Sequence, residues 1–248
     1  MTPYYETSLG KLYHGDCLDI MPQLEPVDMI LCDLPYGTTA CKWDTIIPFE
    51  PLWAQYKRLI KKKGAIVLTA SQPFTSALVM SNPVDFRYSM VWQKEQATNF
   101  MFLKNQIGKV HEDILIFYRA QPIYNPQMIT GLKQSHSGSK NQVKSHLLNG
   151  GTPKREGSTD RFPISILKFD RDRDGLHPTQ KPVALFEYLI RTYTKEGDTV
   201  LDNCAGSGTT AVACERTNIK WACIEKEERY CEIAAKRIER ETSQRKLF

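Results

Sequence analysis

The stretch Val27-Asp28-Met29-Ile30-Leu31-Cys32, followed at once by Asp33-Leu34-Pro35-Tyr36-Gly37, decides how the chain is read. A nearly continuous apolar run of this length fits a parallel strand buried on both faces. The run ends in a carboxylate, a rigid turn and an aromatic ring. That ending puts an acceptor and a flat surface at the carboxyl edge of a sheet, where open α/β folds bind their ligands. The pair suits a planar amino-bearing group, with Asp33 accepting its N–H bonds and Tyr36 stacking on its face. Asp and Pro are also common turn formers, so the same residues describe an ordinary strand-to-loop turn.

Outward from this stretch, strand and helix patterns alternate. On the N-terminal side, Lys11 to His14 reads as a short strand with Asp16 at its carboxyl end, and Cys17 to Leu24 has helical spacing. On the other side, Phe49 to Lys63 predicts a helix that closes with Lys61-Lys62-Lys63 as a basic, solvated last turn and Gly64 as its stop. Ala65 to Ala70 is a third buried strand, Ser71-Gln72-Pro73 opens a helix toward Met80, and Phe86 to Trp92 and Ile114 to Tyr118 are strands flanking an irregular connection. Alternation returns at Pro182. Val183 to Tyr193 is a helix, Thr199 to Leu201 a strand ending at Asp202, Thr209 to Arg216 a helix, Trp221 to Ile224 a strand ending at Glu225, and Glu228 to Arg240 an amphipathic helix.

The 248 residues, 41% hydrophobic and 25% charged, fit an ordinary soluble protein with one catalytic domain spanning 1–248. No apolar block is long enough to span a bilayer, so the expected location is the cytoplasm, with no membrane partner. Seven scattered cysteines without a CxxC pair argue against disulfides and against zinc, and no metal is expected. The net charge of +5 permits nucleic acid binding, and residues 131–161 hold six Lys or Arg against two acids. That segment has five glycines and no periodicity. It reads either as a flexible linker or as an insertion that grips a nucleic acid backbone through Lys133, Lys140, Lys144, Lys154 and Arg155.

A second centre follows the strand at Thr199. Asp202 and then Ala205-Gly206-Ser207-Gly208 precede a helix, so the backbone can approach a ligand above a helix N-terminus. Glu225 lies about twenty residues on, where an acid takes ribose hydroxyls. The turn is too short for a phosphate-cradling loop, which points to a ligand without phosphates.

The order DLPYG, basic insertion, HPTQKP at His177 to Pro182 and DNCAGSGTT at Asp202 to Thr210 resembles the β-class amino-methyltransferases of DNA. Smaller agreements fall at His14-Gly15-Asp16-Cys17, Trp43-Asp44, Trp92-Gln93-Lys94, His111-Glu112 and Gly197-Asp198. The resemblance implies a seven-stranded, mostly parallel Rossmann-like α/β sheet, circularly permuted, with a target-recognition insertion near 120–176. It implies S-adenosylmethionine as cofactor and site-specific methylation of the adenine N6 amino group in double-stranded DNA after base flipping. Asp33, Pro35 and Tyr36 would be the catalytic motif; Asp202, Ala205, Gly206 and Gly208 the cofactor loop; and Glu225 the ribose acid. Thr179 and Lys181 would hold the methionine end, with Asp16 and Cys17 at the cofactor adenine. Two further partners are implied, a second copy of the chain and a cognate restriction endonuclease.

The chain departs from the family pattern at Leu34, where a proline is usual, and at Asn203-Cys204, in place of Pro-Phe. Competing readings are cytosine N4 methylation, methylation of a protein glutamine amide, and a catalytically inert DNA-binding remnant. The glutamine enzymes place the glycine loop before the catalytic motif, the reverse of the order here.

Overall fold

The structure is a computed structural model that describes residues 1–39, 41, 44–130, 160–172 and 180–245. It divides into a main unit, Met1–Asn125 with Ser165–Phe248, and a second unit, Pro126–Ile164. In the second unit the described residues include an antiparallel bridge, with Ile129 and Arg161 exchanging two N–H···O bonds of 2.9 Å.

Among the described residues of the main unit, nine strands form one sheet: β1 (Tyr5–Glu6), β2 (Gly10–His14), β3 (Val27–Asp33), β4 (Ile60–Ala70), β5 (Phe86–Gln93), β6 (His111–Phe117), β7 (Ile166–Lys168), β8 (Thr199–Asp202) and β9 (Lys220–Glu225). Their order is β1-β2-β9-β8-β3-β4-β6-β5-β7. The central run from β2 to β4 is parallel, whereas β6 pairs antiparallel with both β4 and β5. The expected seven strands are all present. The two additions, β1 and β7, are edge strands of 2 and 3 residues, too short to show a period.

β3 alternates across the sheet as its apolar run requires. Met29 and Leu31 face one core, with α4 (Val183–Tyr193), α5 (Thr209–Thr217) and α6 (Glu228–Arg245) packed over it. Ile30 and Cys32 face the other, covered by α1 (Cys17–Ile20), α2 (Phe49–Leu59) and α3 (Phe74–Ser81). Burial on both sides is why β3 and β8 read as apolar runs with no polar face.

Several expected boundaries shift by a few residues, as at β6, which starts at His111 in place of Ile114, and one changes the kind of element. The helix after Phe49 stops at Leu59, and Ile60 already pairs with Val27, so Lys61-Lys62-Lys63 begins a strand and is no helix end. The register slips between Val27 and Met29, a bulge that takes up the lysines, and Lys61 reaches Asp28 at 2.8 Å. The apolar Ile60 continues the helical spacing of α2, yet sheet pairing claims it.

Candidate active site

The carboxyl ends of β2, β3, β4, β8 and β9 converge on a cavity of about 980 Å³ whose lining includes Asp16, Cys17, Asp33, Pro35, Tyr36, Lys181, Asp202, Ala205, Gly206 and Glu225. The structure therefore brings most of the residues singled out in the sequence to one place, although β3 and β8 lie far apart in the chain. Gly208 stands at the base of the same turn, as the N-cap of α5. Thr179 and the insertion residues Lys133, Lys140, Lys144, Lys154 and Arg155 lie outside the described residues.

On the β3 side, Asp33 is held at both carboxylate oxygens. Tyr36 donates its hydroxyl to Oδ1 at 2.7 Å, and Thr69, the register partner of Asp33 on β4, donates to the same atom. Lys181 Nζ lies 2.6 Å from Oδ2. The Tyr36 ring stacks on Phe74, with centroids 5.3 Å apart and planes 27° apart, and the Lys181 ammonium sits 5.5 Å from its centre. Leu34, where the family pattern has proline, is buried in the core beneath α1 to α3. The turn after Tyr36 is tied down by Asp44, whose carboxylate accepts from the amides of Gly37, Thr38 and Thr39 at 2.9, 2.9 and 2.7 Å. Burial pushes the Asp44 carboxyl up, and those amides pull it below its usual value.

Lys181 is also 3.2 Å from Glu112, which pairs in turn with Lys94, so four alternating charges run Asp33, Lys181, Glu112, Lys94. Three of the side chains are nearly sealed, Lys181 being 4% exposed, Lys94 7% and Glu112 13%, while Asp33 is 23% exposed. Burial would raise the Glu112 carboxyl, but the Lys181 and Lys94 ammoniums outweigh it and hold it at about 2. Burial likewise favours a neutral Lys181, and Asp33 and Glu112 reverse that, raising its pKa. Lys94 goes the other way, lowered by its burial despite Glu112.

On the β8 side, Gly206 (φ 52°) and Gly208 (φ 80°) turn the chain through left-handed conformations that glycine adopts without strain. A Cβ on Gly208 would meet Ala234 of α6 at 2.9 Å. The Glu225 carboxylate accepts from the amides of Gly206 at 2.7 Å and Glu227 at 2.8 Å, so the acid that ends β9 also shapes the glycine turn. Burial raises its pKa. Asp202 accepts from Thr210 and from the Cys204 amide, and burial pushes its carboxyl up to about 6. Asn203 accepts a 2.6 Å bond from Tyr56, which satisfies a polar side chain at a position where the pattern has an apolar one. Asp16 caps α1 through the Leu18 amide at 2.9 Å and meets Lys226 at 3.0 Å.

Sequence reasoning missed Thr69, Lys94 and Glu112 as members of the site, and Gln180 and Arg237 as its braces. Gln180 accepts from Ser207 at 3.0 Å, and Arg237 of α6 lies 3.0 Å from Thr209. The only sequence signal for Lys94 and Glu112 was their place in two minor motif agreements.

A central parallel sheet with an acid-ended glycine turn beside an acid-ended aromatic loop is the architecture of a Rossmann-like methyltransferase. The chain belongs to the DNA methylase family of N6 and N4 enzymes, whose model matches residues 27–236. It is 26% identical over 259 residues to the type II methyltransferase M2.LlaDCHI of Lactococcus lactis subsp. cremoris, covering 95% of this chain and 91% of the relative. It is 27% identical over 248 residues to the DNA adenine methyltransferase YhdJ of Escherichia coli (strain K12), covering 92% and 82%. Among solved structures, the M1.HpyAVI–SAM complex superposes with a TM-score of 0.64 at 25% identity, covering 92% of this chain and all (100%) of that one. The cytosine-N4-specific PvuII DNA methyltransferase shares the fold, with a TM-score of 0.68 at 16% identity over 97% and 93% of the two chains.

Proposed function

We propose that the protein transfers a methyl group from S-adenosylmethionine to the N6 amino group of adenine in double-stranded DNA. The observation that carries this reading is the single cavity shared by the Asp33–Tyr36 loop and the Gly206–Glu225 turn. Its volume of about 980 Å³ accommodates a nucleoside-sized cofactor beside a flipped base. The donor set suits S-adenosylmethionine: Glu225 can accept from ribose hydroxyls, Asp16 and Cys17 line the wall for the adenine, and Asp202 and the turn residues Ala205, Gly206 and Gly208 shape the floor. Thr179 is assigned to the methionine end. Lys181 is assigned there as well, and its pairing with Asp33 supports a second duty, that of linking the two halves of the cavity.

The bound cofactor supplies an electrophilic methyl group. The protein's task is to aim a nitrogen lone pair at it, and that lone pair is delocalised into the base ring. Asp33 and the Pro35 carbonyl accept the two amino N–H bonds and so localise the pair on nitrogen. The nitrogen would take the methyl carbon as its bond to sulfur breaks, leaving a neutral thioether, and would shed its surplus proton along the hydrogen bond to Asp33 toward solvent. Thr69 and Lys181 fix the carboxylate while this happens. The amino group displaces the Tyr36 hydroxyl from Oδ1, and the released ring stacks on the base.

Adenine is favoured over cytosine by the Asp that opens the catalytic motif and by the name of the Escherichia coli relative. The insertion is assigned to target recognition, with Lys133, Lys140, Lys144, Lys154 and Arg155 on DNA phosphates. Dimerisation and a partner endonuclease are further parts of the reading, as is a place in the cytoplasm, which fits the absence of any described helix long and apolar enough to cross a membrane. The test is methyl transfer from labelled S-adenosylmethionine to DNA, followed by digestion and mass analysis of the nucleosides. N6-methyladenine is expected. N4-methylcytosine would overturn the target assignment, and no incorporation would overturn the enzymatic one.

A further inference from the structure

Between β5 and β6, residues 94–110 form a protrusion whose tip is apolar and open to solvent. Met101 is 78% exposed, Phe102 56% and Ile107 94%, and Phe100 and Leu103 beside them are exposed as well. Large apolar side chains clustered at one exposed point mark an interaction site.

The protrusion is a built object. Its neck is closed by Lys94 N–H to the Val110 carbonyl at 2.7 Å and Thr98 N–H to the Lys109 carbonyl at 3.0 Å. Asn99 bridges the neck from inside, accepting from the Lys109 amide at 2.6 Å and donating to the Ile107 carbonyl at 3.0 Å. The tip itself is a 3-10 turn, Phe100–Phe102. The amides of Asn105 and Gln106 bond back to the Phe102 carbonyl at 2.8 and 3.0 Å, so the turn is held while its apolar side chains stay exposed.

Two observations say what covers the tip. Of the charged residues in 94–110, Lys94 pairs with Glu112, Glu95 with Arg171, and Lys109 reaches Ser71 at the neck, so the charge left among the apolar side chains of the tip is that of Lys104. The inner wall of the same protrusion, Gln96 to Phe100 with Lys109, lines the cavity that holds Asp33. An apolar wedge carrying Lys104 at the mouth of a base-accepting cavity fits one partner, a DNA duplex whose stack is being opened.

We propose that Met101, Phe102 and Ile107 enter the base stack of the DNA and hold open the gap left by the departing target base. The inference rests on the reading of the protein as a DNA methyltransferase. In this arrangement Lys104 meets a flanking phosphate, and the hydrogen-bonded neck fixes the distance between wedge and cavity. The role is a positioning one, since none of the three side chains touches the reacting atoms.

The test uses the full chain and a synthetic duplex carrying the modified sequence read from the DNA of an expressing host. A second duplex places an abasic site opposite the target, so that the base is already unpaired. Single-turnover methyl transfer is compared for the wild type and for the triple variant Met101→Ala, Phe102→Ala, Ile107→Ala. The variant is expected to slow about tenfold or more on the paired duplex and less than about threefold on the abasic one. Equal slowing on both duplexes, or none on either, overturns the wedge. So does sedimentation showing a wild-type dimer and a monomeric variant, which would assign the tip to a second copy of the chain. Wild-type protein that transfers no methyl group to any DNA would instead defeat the underlying functional reading.

Discussion

Glu112→Gln removes the anion that two buried ammonium groups share. The carboxyl is held at about 2 against an unperturbed 4.5. At about 1.4 kcal/mol per unit, that shift corresponds to roughly 3 kcal/mol of folding stability at neutral pH. Removing one partner of a buried pair lies in the same range, about 3–5 kcal/mol, because the remaining charges keep their desolvation penalty. The sign follows from linkage: a depressed carboxyl pKa stabilises above the unfolded value and ceases to as pH falls through the folded one. The stability gap between wild type and variant should therefore be roughly 3 kcal/mol above pH 5.5 and about 2 kcal/mol at pH 3.5. Urea unfolding of both proteins across that range measures it. A gap under about 1 kcal/mol at neutral pH, or one that does not narrow on acidification, would refute the charge chain as a stabilising unit.

Asp33→Asn keeps the shape of the side chain but weakens its acceptor; turnover should fall about 100-fold or more while S-adenosylmethionine affinity stays within a few fold, as read by single-turnover rates and calorimetry. Gly208→Ala places a Cβ at φ 80° and against Ala234, and thermal unfolding should show a loss of about 1–2 kcal/mol or more. Asp202 has a folded-state pKa raised from 3.8 to about 6, so the folded state binds the proton more tightly and stability falls as pH rises between those values. Asp202→Asn should flatten that fall, and an unchanged pH profile would place the titration elsewhere.

The parts of the fold that were legible in the sequence are those where one local pattern suffices. The buried run of β3, the turn at Gly206 to Gly208 and the helix Val183–Tyr193 each carry their own signal. Ile60 was misread because an apolar residue in phase with α2 satisfies a helix and a strand equally, and only Val27 across the sheet decides between them. The charge chain was illegible for a different reason. Lys94, Glu112 and Lys181 sit on separate segments, and a lone lysine or glutamate carries no mark of burial. It took the antiparallel pairing of β5 with β6, and the placement of Lys181 over β3, to set them within bonding distance.

The position of β3 also bears on how the chain is made. Its two neighbours are β4, encoded next, and β8, encoded only after the insertion. As the polypeptide leaves the ribosome, β4, β5 and β6 can assemble on β3 from what has already emerged. The other edge, at Met29 and Ile30, must wait for Val200 and Leu201. An uncovered, largely apolar strand edge is the natural place for a nascent chain to stick to another, and long-range parallel pairing forms slowly. Holdase chaperones should therefore favour chains halted before β8 over finished ones. The late seam is also the boundary between the two halves of the cavity, so an unfinished chain holds Asp33 without the glycine turn. The polypeptide becomes safe from aggregation and able to react in the same closing step.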